Sequence, residues 1–271
     1  NTLTANDTDT STLSVTVETK ATTLGGSVTI NSDGSFTYTP PLGFTAATDT
    51  FQYTVTDGVG NAAMGNVSVG IQERIWFVQN HTTGNGTDGD FENPFDTIAE
   101  AVTASSPGDT IFVYEGDGTR TGHTTTVVLK ANQQLIGQGV DLVALDRVVV
   151  NKTNAPVMSS TADMVQLNNG VTIRGLQLAS ALEIIQGLAG NVGPITIEEN
   201  TFFYDSTVGE QNYAMFFNET TGDVTIRNNF IYDTTDSAGI GVAAVRFELD
   251  AQDSINLTIT GNTITSRGYT A

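Results

Sequence analysis

Two aspartates in neighbouring repeats of the chain are the first residues with types and spacing suited to chemistry. Asp205 follows Tyr204 in the phrase GPITIEENTFFYD, and Asp233 follows Tyr232 in GDVTIRNNFIYD. Hydrolysis of a glycosidic bond needs two convergent carboxyl groups, one protonated and one ionised. However, Asp205 lies eight residues after the isoleucine of its repeat, and Asp233 lies seven after its own. In a strand this offset turns the two carboxylates to opposite faces, so the four residues are only weak surface candidates.

Other catalytic chemistries have less support in the sequence. A lyase needs a basic residue to abstract a proton, and the nearby options are Arg174, Arg227 and Arg246, none in a motif typical of that chemistry. The two histidines, His81 and His123, lie in loop-like sequence and are predicted to be solvated. No glycine-rich stretch joins a strand to a helix as a phosphate-binding loop does. We therefore predict no catalytic residue and keep an enzyme as the alternative.

Composition limits the partners of the chain. Its 271 residues include 10 basic and 30 acidic residues, and the formal net charge is −20. Nucleic acid is excluded because its binding needs clustered Lys and Arg, and the charge argues equally against anionic polysaccharides and membrane surfaces. Cysteine is absent, and no apolar run approaches the roughly 18 residues of a membrane span. The charge suits a salty or calcium-containing medium, and it suits simple solubility equally well.

Residues 1–72 alternate between apolar and polar side chains. In GSVTINSDGSFTYTP, Val28 and Ile30 share one face, and the alternation resumes at Phe36 after an Asp-Gly turn. A period of two is typical of half-buried strands, and Asp-Gly is a strong hairpin signal. The phrases LSVTV, TFQYTVTDG and NVSVGI repeat the pattern. A small antiparallel β-sandwich is therefore predicted.

The phrases ANDTDT, DGSFTYTP and DTFQYTVTDG resemble the cadherin-like tandem domain of very large bacterial surface adhesins. The resemblance covers nearly all of residues 5–72 and implies an extracellular or cell-surface location. It also implies calcium as a possible cofactor, because related domains carry acidic clusters at strand ends. Calcium takes roughly six to eight oxygen ligands, and the alternative is that these carboxylates only stabilise turns. The matching positions in this chain are Asp7, Asp9, Asp49 and Asp57.

Residues 73–271 follow a different pattern and are predicted to form a second domain. After an apolar strand, RIWFVQN, the segment NPFDTIAEAVTASSPG predicts a helix over about residues 94–106. Asn93 suits the N-cap and Pro94 the first helical position, and Pro107-Gly108 ends the helix. A single helix among many strands is expected to cap the open end of a stack.

Isoleucines in similar phrases indicate a loose repeat beyond residue 110. They recur at steps of 24, 29 and 33 residues, at Ile173, Ile197, Ile226 and Ile259. Steps of this size are typical of solenoids, in which a constant coil carries outward loops of variable length. The strands of each turn are expected to stack their inward side chains on those of the next turn.

An asparagine follows three of these isoleucines at the same distance, at Asn200, Asn229 and Asn262. Asparagine suits a bend in which a residue takes the left-handed conformation. Stacked about 4.8 Å apart, such amides can also form a hydrogen-bonded ladder. The first repeat has Leu176 at this place, so the ladder is expected to begin in the second repeat. We favour this structural role over an asparagine-lined sugar site.

The segments NPFDTIAEAV, PGDTIFVYEG and QQLIGQG resemble the first coils of right-handed parallel β-helix proteins of the pectate-lyase-like superfold. That superfold carries lyases, hydrolases, tailspikes and adhesins, so the resemblance names no activity. The predicted fold class is all-β. A small antiparallel cadherin- or immunoglobulin-like sandwich is followed by a right-handed parallel β-helix with a short N-terminal capping helix.

These observations predict a non-catalytic extracellular segment of a giant bacterial surface protein. The β-helix is expected to be a rigid stalk or binding face for adhesion, and its partner a cell-surface glycan or a protein of another cell, such as a host. Neither nucleic acid nor membrane insertion of this segment is expected. The alternatives are a polysaccharide-degrading lyase or glycoside hydrolase with an accessory cadherin-like module, and a passive spacer.

Overall fold

The structure of the protein is a computed structural model. The chain divides into two compact units, Asn1–Arg74 and Ile75–Ala271. The structure describes residues 2–8, 11–40, 47–71, 74–80, 88–144, 147–204, 213–234, 244–251 and 253–266.

The first unit is built of short antiparallel strands. They are β1 Ser14–Val15, β2 Glu18–Ala21, β3 Ser27–Ile30, β4 Phe36–Thr39, β5 Ala47–Thr56 and β6 Ala62–Ile71. One sheet has the strand order β1-β5-β6 and the other β2-β3-β4. Every pairing in both sheets is antiparallel, which confirms the predicted class of this region.

The core of the first unit follows from the alternation in its sequence. Val28 and Ile30 of β3 are fully buried, whereas the alternating Ser27 and Thr29 are exposed. Phe51 of β5 lies in the same core and meets the ring of Phe36 edge-on, with ring centroids 5.3 Å apart. The Asp-Gly turn between β3 and β4 places Gly34 at φ 79°, a conformation that glycine adopts without steric cost.

The second unit begins with strand β7 and contains helix α1. The elements are β7 Ile75–Val78, α1 Ile98–Ala104, β8 Thr110–Val113, β9 Val127–Val128, β10 Gln134–Gly137, β11 Leu142–Ala144, β12 Arg147–Val150, β13 Val157–Ser160, β14 Val165–Gln166, β15 Thr172–Arg174, β16 Gln177–Ser180, β17 Ile185–Gly187, β18 Ile195–Glu198, β19 Thr201–Tyr204, β20 Met215–Asn218, β21 Gly222–Arg227, β22 Phe230–Asp233, β23 Val245–Glu248, β24 Ile255–Thr260 and β25 Thr263–Ser266.

These strands form three long parallel sheets. Sheet 1 has the order β7-β8-β10-β15-β18-β21-β24, sheet 2 the order β13-β16-β19-β22-β25, and sheet 3 the order β9-β14-β17-β20-β23. From β13 onward, successive strands of the chain visit sheets 2, 3 and 1 in turn, so each of these coils adds one strand to each sheet. This is the predicted β-helix. Ile173, Ile197 and Ile226 pair in register on sheet 1 and are fully buried, and each such side chain contributes about 1.5–3 kcal/mol of burial free energy.

Helix α1 is shorter than predicted, and the predicted N-cap at Asn93 is wrong. The helix begins after Thr97, whose hydroxyl accepts from the backbone N–H of Glu100, while the Glu100 carboxylate accepts from the backbone of Thr97. Phe95, before the helix, instead forms a parallel β-bridge with Val78: its backbone N–H donates to the Phe77 carbonyl, and its carbonyl accepts from the N–H of Gln79. The Phe95 ring stacks on Trp76 at 5.6 Å. The buried Ile98 of the helix packs into the core of the first coils.

A hairpin not foreseen from the sequence covers the outer face of sheet 1 in its first coils. Strands β11 and β12 pair with each other in antiparallel fashion. Leu142 and Val150 of this hairpin pack on Phe77, Phe112 and Ile136, which are the outward residues of β7, β8 and β10. The face is apolar because the hairpin replaces solvent there.

The connections between sheets 2 and 3 differ in length from coil to coil. Four residues join β13 to β14 and β16 to β17, whereas ten join β19 to β20 and eleven join β22 to β23. Most residues of the two long connections, 205–212 and 235–243, lie outside the described residues. The strands that flank them keep their register.

Candidate functional site

Three aromatic side chains form a cluster on the outer face of sheet 2, which we call the aromatic patch: Phe203, Phe230 and Tyr232. Alternation along β19 and β22 places Phe202 and Ile231 inside the coil, so the neighbouring rings face outward. Phe203 and Tyr232 pair in register on adjacent coils, with ring centroids 5.9 Å apart. Phe230 stacks against Tyr232 at 6.4 Å and is 39% exposed. The patch therefore offers apolar ring faces to solvent.

A second aromatic cluster lies on sheet 3 in the same coils. The rings of Tyr213 and Phe216 stack at 5.7 Å. The guanidinium carbon of Arg246 lies 5.1 Å from the centroid of Tyr213 and 5.8 Å from that of Phe216. Arg246 also donates to the hydroxyl of Tyr213 and forms an ion pair with Glu248. The hydrogen bond and the ion pair thus hold the guanidinium over the two rings, where it makes cation–π contacts.

The residues proposed as surface candidates divide between the interior and this patch. Tyr204 is buried, because it lies two residues after the inward Phe202. Asp233 pairs in register with Tyr204, and burial together with the Asp233 carboxylate raises the pKa of the Tyr204 hydroxyl. Tyr232 belongs to the patch, and Asp205 lies outside the described residues. The structure therefore does not bring two catalytic carboxylates together here among the residues that it describes.

Sequence reasoning missed Phe203 and Phe230. Their signal is present in the phrases TFFYD and NNFIYD, because a strand that turns Phe202 and Ile231 inward must turn the residues beside them outward. Alignment of the two phrases by their Tyr-Asp endings hides this signal, because Tyr204 pairs with Asp233 and Tyr232 pairs with Phe203.

The three repeated asparagines stack into a continuous ladder. The side-chain oxygen of Asn262 accepts from the backbone and side-chain N–H groups of Asn229 at 2.9 and 3.0 Å. The oxygen of Asn229 accepts from the same groups of Asn200 at 3.0 and 3.2 Å, and the oxygen of Asn200 accepts from the backbone of Leu176 at 3.1 Å. Each side-chain amide also donates to a carbonyl of the preceding coil, at Ile173, Ile197 and Ile226.

The left-handed residue at each of these bends precedes the ladder position. Glu199 and Asn228 have φ values of 57° and 56°, and glycines take the same place in the flanking coils. The expectation that Asn200 and Asn229 themselves adopt this conformation is wrong. The chain turns one residue earlier, so that the amide side chain enters the coil where the next strand begins.

Comparison with known families gives two matches. The model described as "Protein of unknown function (DUF1565)", a family of the β-helix type, matches residues 82–269, which is more than half of the chain. The chain belongs to the DUF1565 family. A bacterial cadherin-like domain matches residues 1–73, and this match indicates an extracellular or surface protein. No curated protein and no solved structure matches this DUF1565 chain.

No helix within the described ranges of the DUF1565 chain has the length and apolar character needed to span a membrane.

Each of the three arginines that are options for a lyase base forms an ion pair with a glutamate. On the outer face of sheet 1, Glu198 lies between Arg174 and Arg227 in register, and both form ion pairs with it. The hydrogen bond from Arg227 to Glu198 and the charge of that carboxylate raise the pKa of the guanidinium. The pKa of the Arg246 guanidinium is also raised, first by its hydrogen bond to Tyr213 and then by the charge of Glu248, while burial acts in the opposite direction. A raised pKa lowers the fraction of neutral guanidine that could accept a proton, so the described geometry does not favour proton abstraction by Arg227 or Arg246.

His123 is buried, and its predicted exposure is wrong. The residue is 1% exposed, and neither ring nitrogen has a hydrogen-bond partner. Burial lowers the pKa of the imidazole, while the neighbouring Asp117 acts in the opposite direction. The loop around it folds back on the coil, because the backbone of Ser159 on β13 donates to the His123 carbonyl. His81 lies outside the described residues.

Two of the proposed calcium ligands of the cadherin-like unit, Asp49 and Asp57, are engaged by hydrogen-bond donors. Asp49 is fully buried, and its oxygens accept hydrogen bonds from Thr22, Leu24, Tyr38 and Thr50. Asp57 accepts from Val59 and from the backbone and side chain of Asn61, which is turn geometry. The four donors to Asp49 occupy the lone pairs that calcium would need from its carboxylate, so Asp49 does not fit the ion in this arrangement.

The other two proposed calcium ligands are Asp7 and Asp9. Asp7 accepts from the Tyr53 hydroxyl at 3.2 Å, and Asp9 lies outside the described residues. The described part of the chain contains no group of three or more acidic or histidine side chains arranged for a metal. Calcium therefore stays a prediction.

Proposed function

We propose that this chain is an extracellular attachment segment whose β-helix holds a neutral glycan of another cell or surface on the aromatic patch. The observation that carries the proposal is the cluster of Phe203, Phe230 and Tyr232 on the outer face of two adjacent coils. Support for the location comes from the bacterial cadherin-like match and from the β-helix family.

The chemistry of the patch suits the apolar face of a sugar ring. Aromatic rings offer large, rigid contact area, and a tyrosine adds a hydroxyl that can hydrogen-bond at the edge of the contact. The three rings are fixed by the strand ladder, so little side-chain entropy is lost when a ligand binds. A patch of this kind is unusual on a surface without a partner when its rings are adjacent rather than scattered.

The net charge of the chain favours a particular class of glycan. The chain carries a formal net charge of −20, and an anionic ligand would be repelled at low ionic strength. A neutral or amino-bearing sugar meets no such repulsion, so we place these classes ahead of uronic-acid polymers.

Polysaccharide cleavage, the alternative function, has less support at this place. On the described strands of sheet 2, Asp233 is the one carboxylate. A glycoside hydrolase needs a second carboxyl group across the scissile bond. The patch itself can hold a sugar but has no group to protonate the leaving oxygen.

The test is binding of the full chain to an array of neutral, amino-bearing and acidic glycans, followed by titration of the best ligand. The double variant Phe230→Ala/Tyr232→Ala is expected to weaken binding at least tenfold, since each ring contributes about 0.5–1.5 kcal/mol beyond its buried area. Val143→Ala, at an exposed apolar residue on β11 outside the patch, is the control and should bind as the wild type does.

Three outcomes would count against the proposal. They are the absence of binding to any glycan or cell, binding of the double variant as strong as that of the control, and binding of acidic glycans alone. New reducing ends after incubation with neutral polysaccharides would support the enzyme instead.

A further inference from the structure

Two acidic side chains lie one above the other at the corner between sheets 2 and 3. Asp163 follows β13 and Glu183 follows β16, in the short four-residue connections of adjacent coils. The sequences around them repeat the same pattern, ADMVQ and LEIIQ, twenty residues apart. Strands β14 and β17, which come directly after them, pair in register. The pair is therefore built by the coil, and each member is only 8% exposed.

The contacts of the pair leave one oxygen without a donor. The Oδ2 atom of Asp163 accepts from the side-chain amide of Gln166 at 3.2 Å. Its Oδ1 atom is buried and has no hydrogen-bond partner. The backbone holds the corner in place, because the N–H of Met164 donates to the Glu183 carbonyl at 3.1 Å and the Thr126 hydroxyl donates to the Asp163 carbonyl at 2.8 Å.

Two ionised carboxylates at this place would repel each other in a medium that screens poorly. A buried charge without a partner is costly, and a carboxyl group in this position keeps its proton instead. Burial and the hydrogen bond with Asp163 raise the pKa of Glu183. A proton on Glu183 supplies the donor that Asp163 Oδ1 lacks, so one proton satisfies both requirements.

The groups packed around the pair leave its charge uncompensated. Gln166 and Gln186 from sheet 3 are neutral and bond to each other at 3.2 Å. Tyr213 lies on the next coil and is bound to the positive Arg246 of the coil after that, and Arg246 is also paired with Glu248. On the preceding coil, Thr126 is neutral. The pKa of His123 is lowered by burial, and the charge that acts on His123 is that of Asp117.

We propose that Asp163 and Glu183 share one proton, and that this shared proton makes the stability of the β-helix unit fall as the pH rises. The direction follows from linkage. Because the folded pKa of Glu183 is above its unfolded value, the folded chain binds the proton more tightly than the unfolded chain. The stabilisation is complete below about pH 4.5 and is lost as the pH rises through the folded pKa.

The experiment compares unfolding of the full-length wild type and Glu183→Gln between pH 4 and 9. The fluorescence of Trp76, the single tryptophan of the chain and part of the second unit, reports this unit selectively. Glutamine is isosteric, keeps a donor towards Asp163, and cannot ionise. The ratio of the two unfolding constants, wild type over variant, is expected to rise up to tenfold per pH unit between the two pKa values and then to level off.

Controls separate the pair from the general charge of the chain. Glu92→Gln, at an exposed position in the same unit, should show a ratio that does not change with pH. Asp163→Asn removes the like charge, so it should reduce the pH dependence as Glu183→Gln does even if the glutamine variant folds poorly. Infrared spectra of the wild type should show a protonated-carboxyl band at pH values where the other carboxyl groups are ionised, and this band should be absent from Glu183→Gln.

A pH-independent ratio for both variants, or no protonated-carboxyl band, would overturn the proposal. Stabilisation of the wild type but not of Glu183→Gln by calcium chloride at neutral pH would also overturn it, because a cation rather than a proton would then neutralise the pair. Glycan binding is not a readout here, so failure of this proposal and failure of the attachment function are distinguishable.

Discussion

Replacement of Asn229 by alanine should destabilise the β-helix unit by about 3–5 kcal/mol. Asn229 is 2% exposed and occupies the middle of the asparagine ladder. Its side chain makes four hydrogen bonds: two from Asn200 at 3.0 and 3.2 Å, one to the Ile197 carbonyl at 2.9 Å and one to Asn262 at 3.0 Å. Two of these partners, the Asn200 N–H and the Ile197 carbonyl, are main-chain groups inside the coil.

The magnitude comes from the groups left without partners. A buried donor or acceptor that loses its partner costs about 1–3 kcal/mol, whereas an intact hydrogen bond contributes only about 1 kcal/mol net. Two main-chain groups without partners, with a small cavity, give the stated range. Asn262→Ala should cost only about 1–2 kcal/mol, because Asn262 is half-buried and water can reach the groups that it leaves.

The assay is urea unfolding followed by the fluorescence of Trp76. Asn229→Leu separates hydrogen bonding from packing, because Leu176 fills the equivalent place in an earlier coil. The leucine variant restores volume but not the four bonds, and should still lose at least about 2 kcal/mol. Asn256→Ala is the control, since Asn256 is exposed on β24 and its amide donates only to Asp223 at 3.0 Å. Equal urea midpoints for Asn229→Leu and the wild type would refute the reasoning.

Two further predictions concern buried ionisable groups. Burial lowers the pKa of His123, so wild-type stability is full above about pH 6.5 and falls as the pH drops through the folded pKa. His123→Leu should remove this loss, which thermal melts at pH 7.5 and 5.0 measure. Parallel pH profiles of the wild type and the variant would contradict the prediction. Asp49→Asn places a donor against the donors of Asp49 and should cost the first unit about 2–4 kcal/mol. Near-ultraviolet dichroism of its tyrosines measures this loss, and Asp57→Asn, at an exposed turn, should lose less than half as much.

Elements with a regular local period were predictable from the sequence. The alternation around Val28 and Ile30 is a property of neighbouring residues, and the recurrence of Ile173, Ile197 and Ile226 reports one inward side chain per coil. Elements decided by distant partners were not predictable. The helix starts at Ile98 rather than Pro94 because Phe95 pairs with a strand fifteen or more residues away, and the sequence near Pro94 carries no trace of that pairing.

The same distinction applies to the candidate site. Tyr232 and Asp233 were identified, whereas Phe203 and Phe230 were missed because the phrases were aligned by their endings rather than by the inward residues. Burial of His123 depends on a loop that folds back on the coil, which loop-like composition does not reveal. Asp163 and Glu183 were missed because the repeat was followed on sheet 1 alone, while their recurrence belongs to the corner between the other two sheets.

The unequal connections between sheets 2 and 3 have a consequence for how such proteins diversify. Lengthening a flexible connection from four to about ten residues raises its closure cost by only about 0.8 kcal/mol, and the flanking strands keep their register. New surface can thus be added to a single coil with little effect on its neighbours. Over evolutionary time, specificity can change by insertion at one corner while the aliphatic interior of the coil stays the same.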